Sequence, residues 1–195
     1  MQSKNPMKEF VIEMLKTKLP ANYYYHNYEH TLYVLNNVIE IGTHENCNEK
    51  ELELLKAAAL WHDTGYIHTY AGHEEESCQL ATKYLPQFKY SQMDITAING
   101  MIMATKILQT PTNKLEEILA DADLEYLGTN TVAEKAHLLF KELHFLNPSL
   151  DEALWNKMQI AFLESHHYFT DYCKQNKDPL RFVYLKKLMD AEMKA

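Results

Sequence analysis

A chain of 195 residues with 46% hydrophobic and 24% charged side chains carries enough apolar material for one domain around a single core. Five glycines and six prolines are too few to turn the many short strands of an all-β fold, so helix is expected. Nineteen basic against 27 acidic side chains give a formal charge of -8 with no offsetting basic patch, which disfavours a nucleic-acid polymer or an anionic membrane as partner.

Met7, Phe10, Val11, Met14 and Leu15 recur at helical spacing with lysines between them. This predicts a first helix over about Pro6 to Lys18 and speaks against a secretory leader. A second helix is expected from near Asn27 to Gly42, carrying Leu32, Leu35, Val38 and Ile39. The third, Asn48 to His62, is rich in Leu and Ala, with Gly65 as its closing residue. A loop over Tyr66–Gly72 leads to helices at His73–Leu85, closed by Pro86, and Gln92–Met103. After a loop at Leu108–Asn113, a helix is expected from Lys114 to Leu127, ended by Gly128. Three more follow at about 131–145, 149–166 and 178–194, set apart by Asn147-Pro148 and Asp178-Pro179. The longest apolar run, Ala57 to Trp61, is too short to span a bilayer. No repeat or linker divides the chain, so residues 1–195 read as one all-α domain. Cys47, Cys78 and Cys173 form neither a disulfide framework nor a CxxC site, which suits a reducing cytoplasm.

Six of the ten histidines lie between His26 and His73. His62 and Asp63 stand at the C-terminal end of the Leu-Lys-Ala-Ala-Ala-Leu-Trp helix, whose partial negative charge favours a cation. Ala58 and Ala59 behind them let another helix approach, and imidazole with carboxylate suits Zn, Mn or Fe. Taken alone, the pair reads equally as a core histidine beside a loop aspartate. Glu117, Asp121 and Glu125 recur every four residues and form an acidic stripe expected to face solvent. Asp123 instead shares its face with Leu119, Ala120, Tyr126 and Leu127, where a carboxylate is costly unless paired or metal-bound. His26 and His30, four apart, share a helix face if the helix has begun by His26. With Glu29 they also match the inverted zinc-protease pattern H-x-x-E-H, a short match that leaves His62, Asp63 and Asp123 without a role.

The ordered set His30, then Ala-Leu-Trp-His62-Asp63-Thr-Gly, then Ala-Asp-Ala-Asp123-Leu resembles the H…HD…D signature of the HD superfamily of metal-dependent phosphohydrolases. The resemblance covers roughly residues 22–128, with 129–195 as a helical extension. It implies a compact helical bundle in which His30, His62, Asp63 and Asp123 hold one divalent ion, whether Mn, Fe, Zn, Co, Ni or Mg. Tyr25-His26-Asn27-x-x-His30 is similar to the first motif of the cyclic-nucleotide phosphodiesterases of that superfamily, which implies His26 as general acid, set against a histidine that merely caps or packs the helix start. Asp63 would then also hold the attacking water.

Departures from the family narrow the expectation. Its guanosine-tetraphosphate hydrolases carry Glu-Asp just after the HD dipeptide, whereas this chain has Thr64-Gly65-Tyr66-Ile67. His73 resembles a ligand of two-metal members, but Met103–Gln109 lacks the further histidine, so one ion is expected. Lys106 in that segment is the candidate phosphate contact, set against a helix-end lysine in solvent. Glu74 and Glu75 either orient a water or histidine or simply suit a helix start. His166 and His167 either line the pocket or end a helix. The implied activity is cleavage, by metal-activated water, of a phosphoester of a nucleotide-like or other small phosphorylated molecule. The alternative is a non-hydrolytic metal- and nucleotide-binding sensor. Apolar positions on the terminal helices leave a homodimer open.

Overall fold

Short polar side chains set where the helices begin, by accepting hydrogen bonds from amides that have no partner in the first turn. Asn5, Asn27, Asn48 and Asn113 do this for α1 (Pro6–Lys18), α2 (Tyr28–His44), α3 (Glu49–Trp61) and α6 (Lys114–Asp123). Ser91 starts α5 (Gln92–Ala104), Asp151 starts α8 (Glu152–Ser165) and Thr170 starts α9 (Asp171–Asn176). Asn48 with Glu51, and Ser91 with Asp94, close full capping boxes. The remaining helices are α4 (His73–Tyr84), α7 (Val132–Leu146) and α10 (Asp178–Glu192). The computed structural model describes residues 5–193, and among these there is no strand and no helix long and apolar enough to cross a membrane.

The expected all-α fold is the observed one. Helix α3 occupies its middle, with Leu55 and Ala57–Trp61 buried and α2, α5 and α6 packed around it. The alanines let those helices come close, and Val34, Val38, Ile98, Ile102 and Ile118 fill the contacts. A second, smaller core joins the C-terminal helices to this bundle through Leu124, Tyr126, Leu127, Val132, Leu163 and Leu185.

Three expectations need correction. The helix over 114–127 stops at Asp123, because Leu124 leaves helical geometry and a 3-10 turn, Glu125–Gly128, follows. The break is held from outside: the Asn37 side-chain amide donates to the Ala122 carbonyl at 3.2 Å, and the Tyr168 hydroxyl to that of Leu124 at 3.2 Å. Gly65 does not terminate α3, which ends at Trp61. It lies in a 3-10 turn, Thr64–Ile67, pressed so tightly on α4 that a Cβ there would sit 2.0 Å from the His73 carbonyl oxygen. Of the acidic stripe, Glu117 is partly exposed, but Asp121 and Glu125 are not solvated. Asp121 is fully buried and accepts from the Phe169 and Thr170 amides and the Thr170 hydroxyl, at 2.9, 2.8 and 2.6 Å. Glu125 is buried too, bonded to Tyr33 and paired with Lys177. These carboxylates fasten the C-terminal segment to α6, and α9 is the extra helix that segment contains.

Candidate metal centre

Three chain breaks point ligand-type side chains at one spot. His30 sits in the first turn of α2, whose entry is set by Asn27 accepting from the Glu29 amide at 2.8 Å. His62 follows the last residue of α3, and Asp63 adopts φ -105, ψ 6, in the sparsely allowed bridge region between helix and turn. Asp123 is the last residue of α6. His30 Nε2 lies 3.0 Å from Asp123 Oδ1 and 3.4 Å from Asp63 Oδ2. His62 Nε2 lies 3.3 Å from Asp63 Oδ2 and 3.4 Å from Asp123 Oδ1. One ligand atom from each of His30, His62 and Asp123 falls within 4.8 Å of the others.

The donor set fits a divalent ion. His62 Nδ1 donates to the Ala59 carbonyl at 2.9 Å, which fixes the tautomer and leaves the Nε2 lone pair free. Among the described residues, that Nε2 and Asp63 Oδ2 are buried without a hydrogen-bond partner, although each lies within ion-pairing distance of its neighbours. Buried acceptors left open carry a free-energy cost that a shared cation removes. Two imidazole nitrogens with two carboxylates match first-row divalent ions.

Burial alone would raise the carboxyl pKa values of Asp63 and Asp123. The His62 and His30 imidazoles outweigh it and hold both below the usual carboxylate range. His62 shows the converse: burial lowers it, and the two aspartates lift it well above an ordinary imidazole. A cation bound here would compete with protons for the same donor atoms.

His26 stands apart from this group on a carboxylate of its own. Its Nδ1 donates to Glu142 Oε1 at 2.5 Å, while Glu142 Oε2 accepts the Tyr25 and His26 amides at 2.9 and 3.0 Å. The Tyr70 hydroxyl donates to Glu142 Oε1 at 3.2 Å. Tyr66 stacks on both His26 and His73, with ring centroids 4.4 and 3.8 Å apart. Burial lowers the His26 pKa, but the Glu142 hydrogen bond and the charges of Asp63, Glu142 and Asp123 raise it by more.

His26, Asp63, Asp123 and Lys106 all line one cavity of about 580 Å³, while His30 and His62 lie behind its wall. Lys106 is half exposed and engaged with Glu75. His73 joins the site, its Nε2 3.6 Å from Asp63 Oδ1, with the buried Glu74 carboxylate 3.5 Å from its Nδ1. His166 lies away from the cavity lining, packed against Phe162 and Tyr168, and His167 is exposed. Glu142, Tyr66 and Tyr70 were not among the sequence candidates. Glu142 did carry a signal: Leu138, Leu139, Phe145 and Leu146 flank it at helical spacing, the polarity conflict that singles out Asp123.

A family model described as HD domain matches residues 27–125, a span that includes His30, His62, Asp63 and Asp123. The crystal structure of a predicted HD superfamily hydrolase from an uncultured Thermotogales bacterium superposes with a TM-score of 0.65 at 18% sequence identity. The superposition covers 98% of this chain and 94% of that one, so the likeness of fold takes in the C-terminal helices. No curated protein sequence matches.

Proposed function

This chain belongs to the HD-domain family of metal-dependent phosphohydrolases, and from that premise we propose that it hydrolyses a phosphoester of a small phosphorylated molecule. The observation that carries the reading is the pair of unpartnered buried atoms, His62 Nε2 and Asp63 Oδ2, set among His30 and Asp123 beside a cavity that also contains His26. His30, His62, Asp63 and Asp123 would hold the ion. When bound, a divalent ion supplies positive charge that polarises a phosphoryl oxygen and acidifies water.

The chain's own residues do the rest. Asp63 lines the cavity and can accept a hydrogen bond from the attacking water while its other oxygen stays in the cluster. His26 keeps its Nδ1 proton on Glu142, which leaves Nε2 to deliver a proton to the departing oxygen. The Glu142 hydrogen bond raises the His26 pKa, which favours its protonated form. Tyr66, stacked on His26 and His73, restrains both rings. The formal charge of -8 suits a small substrate better than a nucleic-acid polymer.

Elemental analysis of wild type, Asp63→Ala and Asp123→Ala, followed by phosphoester hydrolysis with the ion found, tests this. About one ion per wild-type chain, lost from both variants while circular dichroism shows them folded, is expected together with turnover by wild type alone. A wild type that takes up no ion on reconstitution overturns the proposal. An ion-loaded protein that binds phosphorylated ligands without turnover identifies a sensor instead.

A further inference from the structure

The cavity wall has two chemically distinct parts. One carries His26, Asp63, His73 and Asp123. The other is built by Leu139 and Leu143 of α7 with Trp155, Met158, Phe162 and Leu163 of α8. Helix α7 packs on the turn Glu125–Gly128 and α8 on α10, and the apolar part of the cavity occupies the space between α7 and α8.

What that part lacks is a way to read a polar molecule. Gln159 is the α8 side chain there with both a donor and an acceptor, and each already makes one hydrogen bond. Its amide donates to Asn156 Oδ1 at 3.3 Å, and its carbonyl accepts from the Tyr184 hydroxyl at 3.0 Å. Histidines aside, Lys106 is the one basic residue lining the cavity among the described residues, and it is paired with Glu75. A polyphosphate would find little to neutralise its added charge, and a nucleobase edge lying between α7 and α8 would find few polar partners. A volume of about 580 Å³ is nonetheless far more than a phosphoryl group fills.

We infer that the substrate is the phosphate monoester of a large apolar alcohol, alkyl or aryl, with its phosphate at the aspartate–histidine cluster and its apolar group between α7 and α8. This rests on the phosphohydrolase reading and adds the identity of the leaving group to it. In the reaction, water oxygen forms the new bond to phosphorus and the bond from phosphorus to the alcohol oxygen breaks. The departing oxygen takes the His26 proton, and the water gives up its proton on the Asp63 side, so the products are the alcohol and inorganic phosphate.

Titration calorimetry of the ion-loaded protein with ethyl-, hexyl- and decylphosphonate, each below its micelle concentration, and with AMP tests the assignment. Affinity is expected to rise about fourfold per added methylene, and decylphosphonate to bind at least tenfold more tightly than AMP. Met158 is 47% exposed, so Met158→Glu should leave the fold intact while flattening the chain-length series. A series that is flat in wild type, or AMP binding more tightly than decylphosphonate, overturns the inference. Hydrolysis of AMP in preference to octyl phosphate would overturn it while leaving the phosphohydrolase reading in place. The steep series without turnover of any ester would keep the apolar site and remove the hydrolase reading.

Discussion

Replacing Glu142 by glutamine keeps the shape of the side chain that seats His26 and removes its charge. The buried carboxylate accepts from two backbone amides, the His26 ring and the Tyr70 hydroxyl, and the amide can accept at only one of its two ends. Breaking a buried charge pair costs about 3 kcal/mol at the low end, which lowers the melting midpoint of a chain this long by roughly 10 °C. The kinetic consequence is more specific. Burial lowers the His26 pKa and Glu142 is foremost among the groups that raise it, so the variant's imidazole loses its proton at lower pH. A general acid works only while protonated, so the alkaline limb of the pH–rate profile should move toward acid. On an alkyl phosphate, whose departing oxygen needs that proton, kcat should fall about 100-fold. On p-nitrophenyl phosphate, whose leaving group needs little help, it should fall less than tenfold. Profiles of kcat and kcat/KM on both esters, with the imidazole titration followed by NMR, measure this. Equal losses on both esters with an unmoved alkaline limb would refute the positioning role of Glu142 and reduce the pair to a structural contact.

Gly128→Ala should destabilise the protein by about 1–3 kcal/mol in urea denaturation, because its Cβ would stand 2.4 Å from the Lys177 carbonyl oxygen and 2.7 Å from its Cα. An unchanged midpoint would show that the turn and α10 are less tightly apposed. His166 is held to about 4 by burial, with the Arg181 cation adding to the effect, against an ordinary 6.5. Between those values the unfolded chain binds the extra proton, so this contribution is complete above pH 6.5 and is lost as pH falls toward 4. At about 1.4 kcal/mol per pH unit it amounts to at most ~3 kcal/mol for a half-buried ring. His166→Leu should flatten the stability–pH curve over that range, and a curve parallel to wild type would contradict the argument. The His26–Glu142 pair contributes with two signs: the lowered Glu142 pKa adds stability that fades as pH falls, and the raised His26 pKa adds stability that fades as pH rises. Its effect should peak between the ordinary values of 4.5 and 6.5, which a wild-type minus Glu142→Gln difference curve would show.

Helix type, and most helix starts, follow from local physics. Apolar periodicity marks the buried faces, and asparagine, serine or aspartate satisfies the first amides, so α1 to α6 are legible to within a few residues from the chain alone. Asp123 is legible for a related reason, as a carboxylate on an apolar face, and His62-Asp63 as a polar pair at the end of an alanine-rich helix. The same reasoning misplaced Asp121 and Glu125, whose regular spacing suggests solvent. Their partners, Thr170 and Lys177, lie about 50 residues away, and only packing reveals them. Where α6 stops was equally decided from outside, by Asn37 and Tyr168 bonding carbonyls that the helix pattern would have continued past. Glu142 reaches His26 across 116 residues. Periodicity records which way a side chain faces along its own helix, whereas what stands opposite depends on how the helices pack. For that reason the sequence alone determined the helices and the candidate ligands, and the tertiary structure decided the seating of His26 and the apolar cavity between α7 and α8.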